Sequence, residues 1–236
     1  RVIESKNKEY PVGTYVLGYL GWRTLTHISQ ERLQLPDVSS ALWKLVDLGE
    51  IPRAAALGIL GMPGNTAYFG LLEVCKPKPG ETVLVNAAAG AVGSLVCQIA
   101  KLVGCTVIGF AGTDEKVAWL KELGIDHAFN YKTNDVSQSL KLAAPGGIDC
   151  FFDNVGGRFA ADALPHMTMF GRVAICGCIS ALNLEGVDLS SPSLTSPYSA
   201  YFLITKQLKV EGFLVSRWAD RWTEGIFQMK EWLLQG

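Results

Sequence analysis

The chain has 236 residues, of which 49% are hydrophobic and 18% charged, and its formal net charge is −1. The balanced charge excludes the basic surface of a nucleic-acid or anionic-membrane binder, and no run of about 18 apolar residues favours membrane insertion. We therefore expect a small-molecule partner, no nucleic acid and no membrane. Because the first residues do not resemble a signal peptide, we also expect a cytoplasmic protein.

The first sixty residues are rich in turns. They predict short strands at residues 14–17 and 21–28 and a helix at 53–60. We place a domain boundary at residues 61–64, which divides the chain into 1–62 and 63–236. The chain starts without Met and stops inside a predicted helix, so we expect it to be a fragment.

From residue 81 onward, apolar β-rich runs alternate with helical patterns, which is typical of βαβ units. The fold class predicted is α/β, a doubly wound Rossmann sheet of parallel strands. Residues 179–199 lack periodicity and predict a long loop. The predicted strands are 82–86, 106–110, 128–131, 148–153, 171–177 and 208–215, and the predicted helices are 91–103, 113–124, 134–143, 158–169 and 221–234.

A glycine-rich turn separates the first of these strands from its helix. It reads Ala88-x-Gly90-x-x-Gly93, the dinucleotide fingerprint with its first glycine replaced by alanine. Gly90 would let the backbone approach a pyrophosphate, and helix amides would meet the phosphate charge. The alternative is a tight turn with a purely structural role.

The tip of the second strand indicates which nicotinamide cofactor is used. An NAD site would carry Asp or Glu about 20 residues after the fingerprint. Here the tip reads Phe110-Ala111-Gly112-Thr113, and Lys116 follows one helical turn later. Lys116 could meet the 2′-phosphate of NADPH, although it could also be a solvated helix residue.

Further candidates follow other strands at the same edge of the sheet, where ligands bind in open α/β folds. They are Asn154, Tyr131 and the turn from Cys176 to Ser180. Asn154 could contact ribose or amide groups, or it could only close its turn by hydrogen bonding.

The six cysteines lie mostly in apolar runs and are predicted to be reduced thiols in the core. Zinc would need clustered ligands, but Cys176 and Cys178 form the only close pair, so we expect no metal site. None of the three histidines belongs to a visible catalytic arrangement.

Six segments together resemble the prostaglandin reductase family, the leukotriene B4 12-hydroxydehydrogenases/15-oxoprostaglandin 13-reductases, which are zinc-free medium-chain dehydrogenases/reductases. The resemblance covers nearly the whole chain. It implies that residues 1–62 are part of a β-rich GroES-like catalytic domain and that other parts of that domain lie outside this chain. The segments are residues 58–73, 85–93, 114–118, 129–133, 153–157 and 171–177.

The resemblance implies an enzyme of lipid metabolism that passes a hydride from NADPH to the β-carbon of an enone or enal, such as a 15-oxo-prostaglandin, before the enolate is protonated. It also implies a homodimer paired through the sheet edge. The family's cofactor contacts fall on Gly90, Ala91, Val92, Gly93, Lys116, Tyr131, Asn154, Cys176, Gly177, Cys178, Ile179, Ser180, Phe213, Leu214 and Val215, with Met62 and Thr66 near the nicotinamide.

Two family tyrosines are missing, since their positions carry Thr205 and Leu182. The catalytic residue is therefore unassigned, and the candidates are Tyr198, Tyr201 and Thr205, with solvent or the cofactor ribose as substitutes. Two other functions stay open: a quinone reductase of the same superfamily, or an NADPH-binding protein without turnover.

Overall fold

The computed structural model describes residues 1–33, 42–182 and 196–236, and its contacts group into two compact units, Arg1–Arg53 and Ala54–Gly236. The second unit begins before the boundary that the sequence places at 61–64, because its first residues are hydrogen-bonded onto the following helix. The Gly64 amide donates to the Gly58 carbonyl, and the Asn65 amide donates to that of Gly61. The domain assignment of 1–62 and 63–236 stays a prediction.

The first unit contains a small antiparallel sheet. Strand β1 is Val16–Gly18 and pairs with β2, Leu42–Lys44, while Gln30–Leu33 forms the short helix α1. The strand predicted at 21–28 is wrong. Gly21 adopts a positive φ of 75°, and the Arg23 amide bonds back to the Gly21 carbonyl, so the chain turns where an extended strand was expected.

The second unit contains a six-stranded parallel sheet with the strand order β5-β4-β3-β6-β7-β8. The chain runs outward from β3 in one direction and then returns to β6 and runs outward in the other, so the switch point lies between β3 and β6. The predicted doubly wound α/β fold is confirmed. The strands are Thr82–Val85 (β3), Thr106–Ala111 (β4), His127–Asn130 (β5), Ile148–Asp153 (β6), Met167–Ile175 (β7) and Lys209–Gly212 (β8).

Helices connect and flank these strands. Short 3₁₀ segments cover Arg53–Leu57, Leu164–His166 and Val215–Arg221, and a π-helical segment, Gly70–Cys75, continues α2. Among the described residues no helix has the length and apolar character needed to span a membrane. The helices are Met62–Phe69 (α2), Gly93–Leu102 (α3), Asp114–Glu122 (α4), Val136–Ala143 (α5), Gly157–Ala163 (α6), Ile179–Leu182 (α7), Ala200–Thr205 (α8) and Trp222–Gln235 (α9).

The central strands are buried on both faces, as their continuous apolar sequences predict. Leu84, Ile108, Phe151 and Phe152 are completely inaccessible to solvent. Each such side chain contributes roughly 1.5–3 kcal/mol by leaving water. The core therefore holds the strands in place, and the turns at the ends of these strands are anchored to a rigid sheet.

Three predicted boundaries are wrong. The helix predicted at 158–169 ends at Ala163, because Pro165 lies in a 3₁₀ turn and Met167 already pairs with Ile148 in the sheet. The strand predicted at 208–215 stops at Gly212, and a 3₁₀ segment begins at Val215. Of the predicted loop 179–199, the first residues form α7, and 183–195 lie outside the described residues.

The cysteines are free thiols, as the sequence predicts. Cys75, Cys97, Cys105 and Cys150 are buried, whereas Cys176 is half-buried and Cys178 exposed. Burial raises the pKa of the Cys105 thiol to about 11, and it does the same for Cys176. Such thiols are largely protonated at neutral pH and chemically inert.

Candidate functional site

A cleft of about 880 Å³ lies where the carboxyl ends of β3, β4 and β6 meet, next to the switch point of the sheet. This is where open α/β sheets bind their ligands. The residues that line it are Asn86, Ala87, Ala89, Gly90, Ala111, Gly112, Thr113, Lys116, Tyr131, Lys132, Asn134, Asp135, Val136, Val155, Gly156, Arg158, Phe159, Asp162, Ile179 and Ser180.

The turn after β3 forms one wall of the cleft and depends on glycine. A Cβ atom on Gly93 would lie 2.3 Å from the Ala87 carbonyl oxygen, so no larger residue fits without moving the backbone. Ala87 itself adopts a positive φ of 46°. Gly90 is exposed in the cleft, whereas Ala91, Val92 and Gly93 do not line it.

The alanine that replaces the first fingerprint glycine is accommodated from the neighbouring strand. Ala88 is completely buried, and its amide donates to the Phe110 carbonyl at 2.9 Å. A Cβ atom on Gly109 would lie only 3.0 Å from the Ala88 methyl group. Gly109 thus leaves the space that Ala88 fills, and the turn keeps its shape.

The N-terminus of α3 lies at the end of this turn. No side chain caps it. The Ser94, Leu95 and Val96 amides donate to the Gly90 and Val92 carbonyls, so the attraction for an anion here comes from the helix dipole. The turn and the helix together therefore fit the pyrophosphate of a dinucleotide.

The tips of β4 and β5 bring Lys116 and Lys132 into the cleft lining, whereas Asp114 and Glu115 in the first turn of α4 do not line it. The Thr113 hydroxyl caps α4 by accepting from the Lys116 amide at 3.3 Å. The Lys116 and Tyr131 side chains line the cleft, and Gly112 packs against the Tyr131 ring. Lys132, which the sequence reasoning missed, lies beside Gly112 and adds a second cation to this end.

The turn after β6 forms the opposite wall, and the hydrogen bonds of Asn154 stabilise this turn. The Asn154 amide side chain donates to the Asn86 carbonyl at 2.9 Å, and its backbone N–H donates to the Asn86 side-chain oxygen at 2.7 Å. Gly156 and Gly157 both adopt positive φ, 68° and 57°. Asn154 does not line the cleft, so the turn-closing role is the one that its contacts support.

The turn that follows β7 packs on the turn that follows β6. The Ser180 hydroxyl donates to the Val155 carbonyl at 2.6 Å, and the Cys176 amide donates to the Asp153 carbonyl at 2.8 Å. Ile179 and Ser180 reach the cleft, whereas Cys176, Gly177 and Cys178 do not.

The remaining predicted residues lie outside the cleft lining. On α2, the Thr66 hydroxyl donates to the Met62 carbonyl, and Met62 is exposed. After β8, the Phe213 ring packs edge-on against the Phe152 ring, whereas Leu214 points to solvent and Val215 begins the 3₁₀ segment.

The three hydroxyl candidates differ in their contacts. The Tyr198 hydroxyl donates to the Asp153 carboxylate, and burial together with that charge raises the tyrosine's pKa. The Thr205 hydroxyl donates to the Tyr201 carbonyl at 2.8 Å. Tyr201 is 67% exposed.

Sequence reasoning missed several polar residues of the lining, including Asn134 and Arg158. The Arg158 Nε–H is shared between the two carboxylate oxygens of Asp162, each at 2.8 Å. This ion pair follows from helix geometry, since residues 158 and 162 are one turn apart on α6. The i, i+4 spacing was the available signal, but nothing in it indicates that the pair faces a cleft.

No group of three or more His, Cys, Asp or Glu side chains in the described parts of the chain could hold a metal ion. The His166 ring bonds to the Ser137 hydroxyl at 2.8 Å, away from the cleft, and burial lowers its pKa.

Comparisons with known proteins agree with this geometry. The sequence model of the zinc-binding dehydrogenase family matches residues 91–231, although the described residues offer no ligand set for zinc. Prostaglandin reductase 1 of Rattus norvegicus is 48% identical over the entire chain, which spans 68% of that protein.

A second relative is the 2-alkenal reductase (NADP(+)-dependent) of Nicotiana tabacum, 45% identical over 91% of this chain and 59% of its own. Among solved structures, CurA of Vibrio vulnificus in complex with NADPH shares 38% identity at a TM-score of 0.73, over 84% of this chain and 59% of its own. The chain belongs to the prostaglandin reductase family of medium-chain dehydrogenases/reductases.

Proposed function

We propose that the protein is an NADPH-dependent reductase of carbon–carbon double bonds conjugated to a carbonyl group. The observation that carries this proposal is the cleft at the switch point, which joins a glycine-dependent turn to a cationic tip where an NAD site would place a carboxylate. Relatives named as prostaglandin and 2-alkenal reductases support the reaction class. The substrates are 15-oxo-prostaglandins, alkenals and alkenones.

The cleft supports one assignment of NADPH. Residues 90–93, of which Gly90 lines the cleft, would hold the pyrophosphate, and Lys116, Tyr131 and Lys132 would hold the 2′-phosphate. Asn154, the 176–180 turn, residues 213–215, Met62 and Thr66 would hold the nicotinamide end. This assignment rests on the cleft for the phosphate end and on the family resemblance for the nicotinamide end.

When bound, NADPH supplies the hydride that adds to the β-carbon of the substrate. The chain's own task is to hold the two walls of the cleft in register and to let a proton reach the α-carbon. Tyr198 and Thr205 use their hydroxyl protons in hydrogen bonds with Asp153 and the Tyr201 carbonyl. The Tyr201 hydroxyl has no partner among the described residues, so Tyr201 and solvent are the proposed proton sources.

The proposal also covers the compartment, the metal content and the oligomeric state of the enzyme. It works in the cytoplasm, in lipid metabolism and without zinc, and it pairs as a homodimer through β8. Strand β8 is the last strand in the sheet order and pairs with β7 on one side only among the described strands. Buried free thiols are typical of a reducing compartment.

The direct test follows NADPH oxidation by the full-length protein. A 15-oxo-prostaglandin, a simple alkenone and a quinone are compared, each with NADPH and with NADH. Turnover of either enone with NADPH supports the proposal. Turnover of the quinone alone would instead make the protein a quinone reductase, and NADPH binding without any turnover would make it a binding protein.

The cationic tip is tested with two lysines of the same helix. Lys116→Ala should raise the KM for NADPH about tenfold and leave the KM for NADH nearly unchanged, since only NADPH carries the 2′-phosphate. Lys121→Ala, at the other end of α4 and outside the cleft lining, is the control. Equal effects of Lys116→Ala on both cofactors would remove Lys116 from the phosphate site.

A further inference from the structure

Asp153, the last residue of β6, is a completely buried carboxylate. One of its oxygens accepts three hydrogen bonds: from the Asn86 side chain at 2.6 Å, the Val155 amide at 2.9 Å and the Gly156 amide at 2.8 Å. The other oxygen accepts from the Tyr198 hydroxyl. Among the described residues its hydrogen-bond partners are neutral donors, so the carboxylate depends entirely on hydrogen bonds.

These donors belong to both walls of the cleft. Asn86 is the first residue after β3 and lies where the glycine-rich turn begins, while Val155 and Gly156 form the turn after β6. A single carboxylate oxygen therefore links the glycine-rich turn after β3 to the turn after β6, which lies on the other side of the switch point. This oxygen shares the link with the two hydrogen bonds between Asn154 and Asn86, which join the same walls.

Tyr198 holds the carboxylate from outside the cleft. It is half-buried, packs against the core of the second unit and does not line the cleft. Without its hydroxyl, one carboxylate oxygen would be buried with no donor among the described residues, which is unfavourable. The carboxylate could recover a partner only by rotating or by admitting water, and either change would disturb the three bonds on its other oxygen.

We propose that Tyr198 is a positioning residue for the cofactor, which fixes the Asp153 carboxylate and through it the spacing of the two cleft walls. This inference rests on the proposed function, because it concerns the same NADPH site. It contradicts a role for Tyr198 as the proton donor, since its hydroxyl proton is already donated to Asp153.

The test compares Tyr198→Phe with Tyr68→Phe in the full-length protein. Tyr68 also directs its hydroxyl to a carboxylate, that of Glu224 at 3.4 Å, but it lies on α2 away from the cleft lining. Three quantities are measured: the Kd for NADPH by fluorescence, hydrogen exchange of the amides in residues 154–157, and kcat at saturating NADPH across pH. Thermal unfolding confirms that both variants are folded.

We expect Tyr198→Phe to raise the Kd for NADPH about tenfold, because the two walls are no longer held at the spacing that binds the cofactor and must be reordered on binding. The amides of Val155 and Gly156 should exchange faster, while kcat at saturating NADPH stays within about twofold and keeps its pH profile. Tyr68→Phe should change none of these quantities.

Two results would overturn the assignment. An unchanged Kd with unchanged amide exchange would show that Tyr198 holds nothing in the cleft. A large fall in kcat at saturating NADPH with an unchanged Kd would make Tyr198 the proton donor. A wild-type protein that fails to bind NADPH would instead overturn the proposed function itself, a result that the wild-type titration separates from the other two.

Discussion

The two halves of the parallel sheet close their turns in different ways. In the β3–β5 half, residues 82–135, the helix caps have partners close in sequence. Thr113 caps the helix that begins beside it, and Asp135 accepts from the Gln138 amide at 2.8 Å. The turn after β3 is the exception, since the Ala88 amide donates to the Phe110 carbonyl and Asn86 binds Asn154. The caps therefore carry their own stabilising contacts.

In the β6–β8 half, residues 148–212, the partners are far apart in sequence. Asp153 binds Asn86 and Tyr198, which are 67 and 45 residues away, and Ser180 binds Val155, 25 residues away. These turns take shape only when the sheet has assembled. We infer that a substitution at a helix cap of the first half has a local effect, whereas a substitution of Asp153 affects both walls of the cleft.

The largest effect is expected for Asp153→Leu, which keeps the branched shape of the side chain but replaces both acceptor oxygens with larger methyl groups. Three buried donors and the Tyr198 hydroxyl would lose their partner, so the free energy of unfolding should fall by roughly 3–5 kcal/mol. Urea unfolding followed by circular dichroism measures it.

The matched control is Asp126→Leu in the β3–β5 half. Asp126 also accepts a backbone amide, that of Val107 at 2.7 Å, but its side chain is 32% exposed and pairs with Lys101. Water can replace it, so we expect a loss below about 2 kcal/mol. Equal losses at the two aspartates would contradict the contrast between the halves.

The next effect in size concerns the fingerprint turn. Gly93→Ala places a methyl group 2.3 Å from the Ala87 carbonyl oxygen, so the backbone must shift at a cost of roughly 1–3 kcal/mol, and NADPH binding should weaken with it. Gly146→Ala is the control, because a Cβ there meets no atom within 4 Å. Unfolding and NADPH titration of both variants are the measurements, and a Gly93→Ala protein as stable as the control would exclude the clash.

The same contrast explains what the sequence could predict. Strands such as 82–85 are short β-branched and apolar runs, and Thr113 stands where a helix cap is expected, so the parallel sheet and the α4 cap follow from local patterns. The prediction of a helix at 158–169 is wrong at its C-terminal end, because Met167 pairs with Ile148 in the sheet and the local sequence does not indicate this distant partner.

The residues of the candidate site also differ in whether local sequence patterns can identify them. Gly90 and Lys116 could be found from spacing alone, because the fingerprint and the tip of the second strand are local features. Asp153 and Tyr198 could not be paired from sequence, since nothing in either segment indicates the other. An acidic residue ending a strand buried on both faces was the one available signal that Asp153 needs partners.

A smaller effect is expected for the cap of α4. Thr113→Ala removes the acceptor of the Lys116 amide and should lower the free energy of unfolding by about 1 kcal/mol. Thr113→Ser keeps the hydroxyl and should restore most of that loss. If the serine variant is as destabilised as the alanine variant, packing of the threonine methyl group, and not the cap, accounts for the effect.

The last and sharpest comparison is the energetic coupling between pairs of residues, measured by double-mutant cycles in urea unfolding. Thr113 and Asp135 cap different helices and share no hydrogen-bond partner, so Thr113→Ala and Asp135→Ala should add to within about 0.5 kcal/mol. Asn86→Ala and Tyr198→Phe both act on the Asp153 carboxylate, so their coupling should lie at roughly 0.5–3 kcal/mol. Strict additivity at Asn86 and Tyr198 would mean that Asp153 does not transmit the loss of one donor to the other, and the two walls would then be held independently.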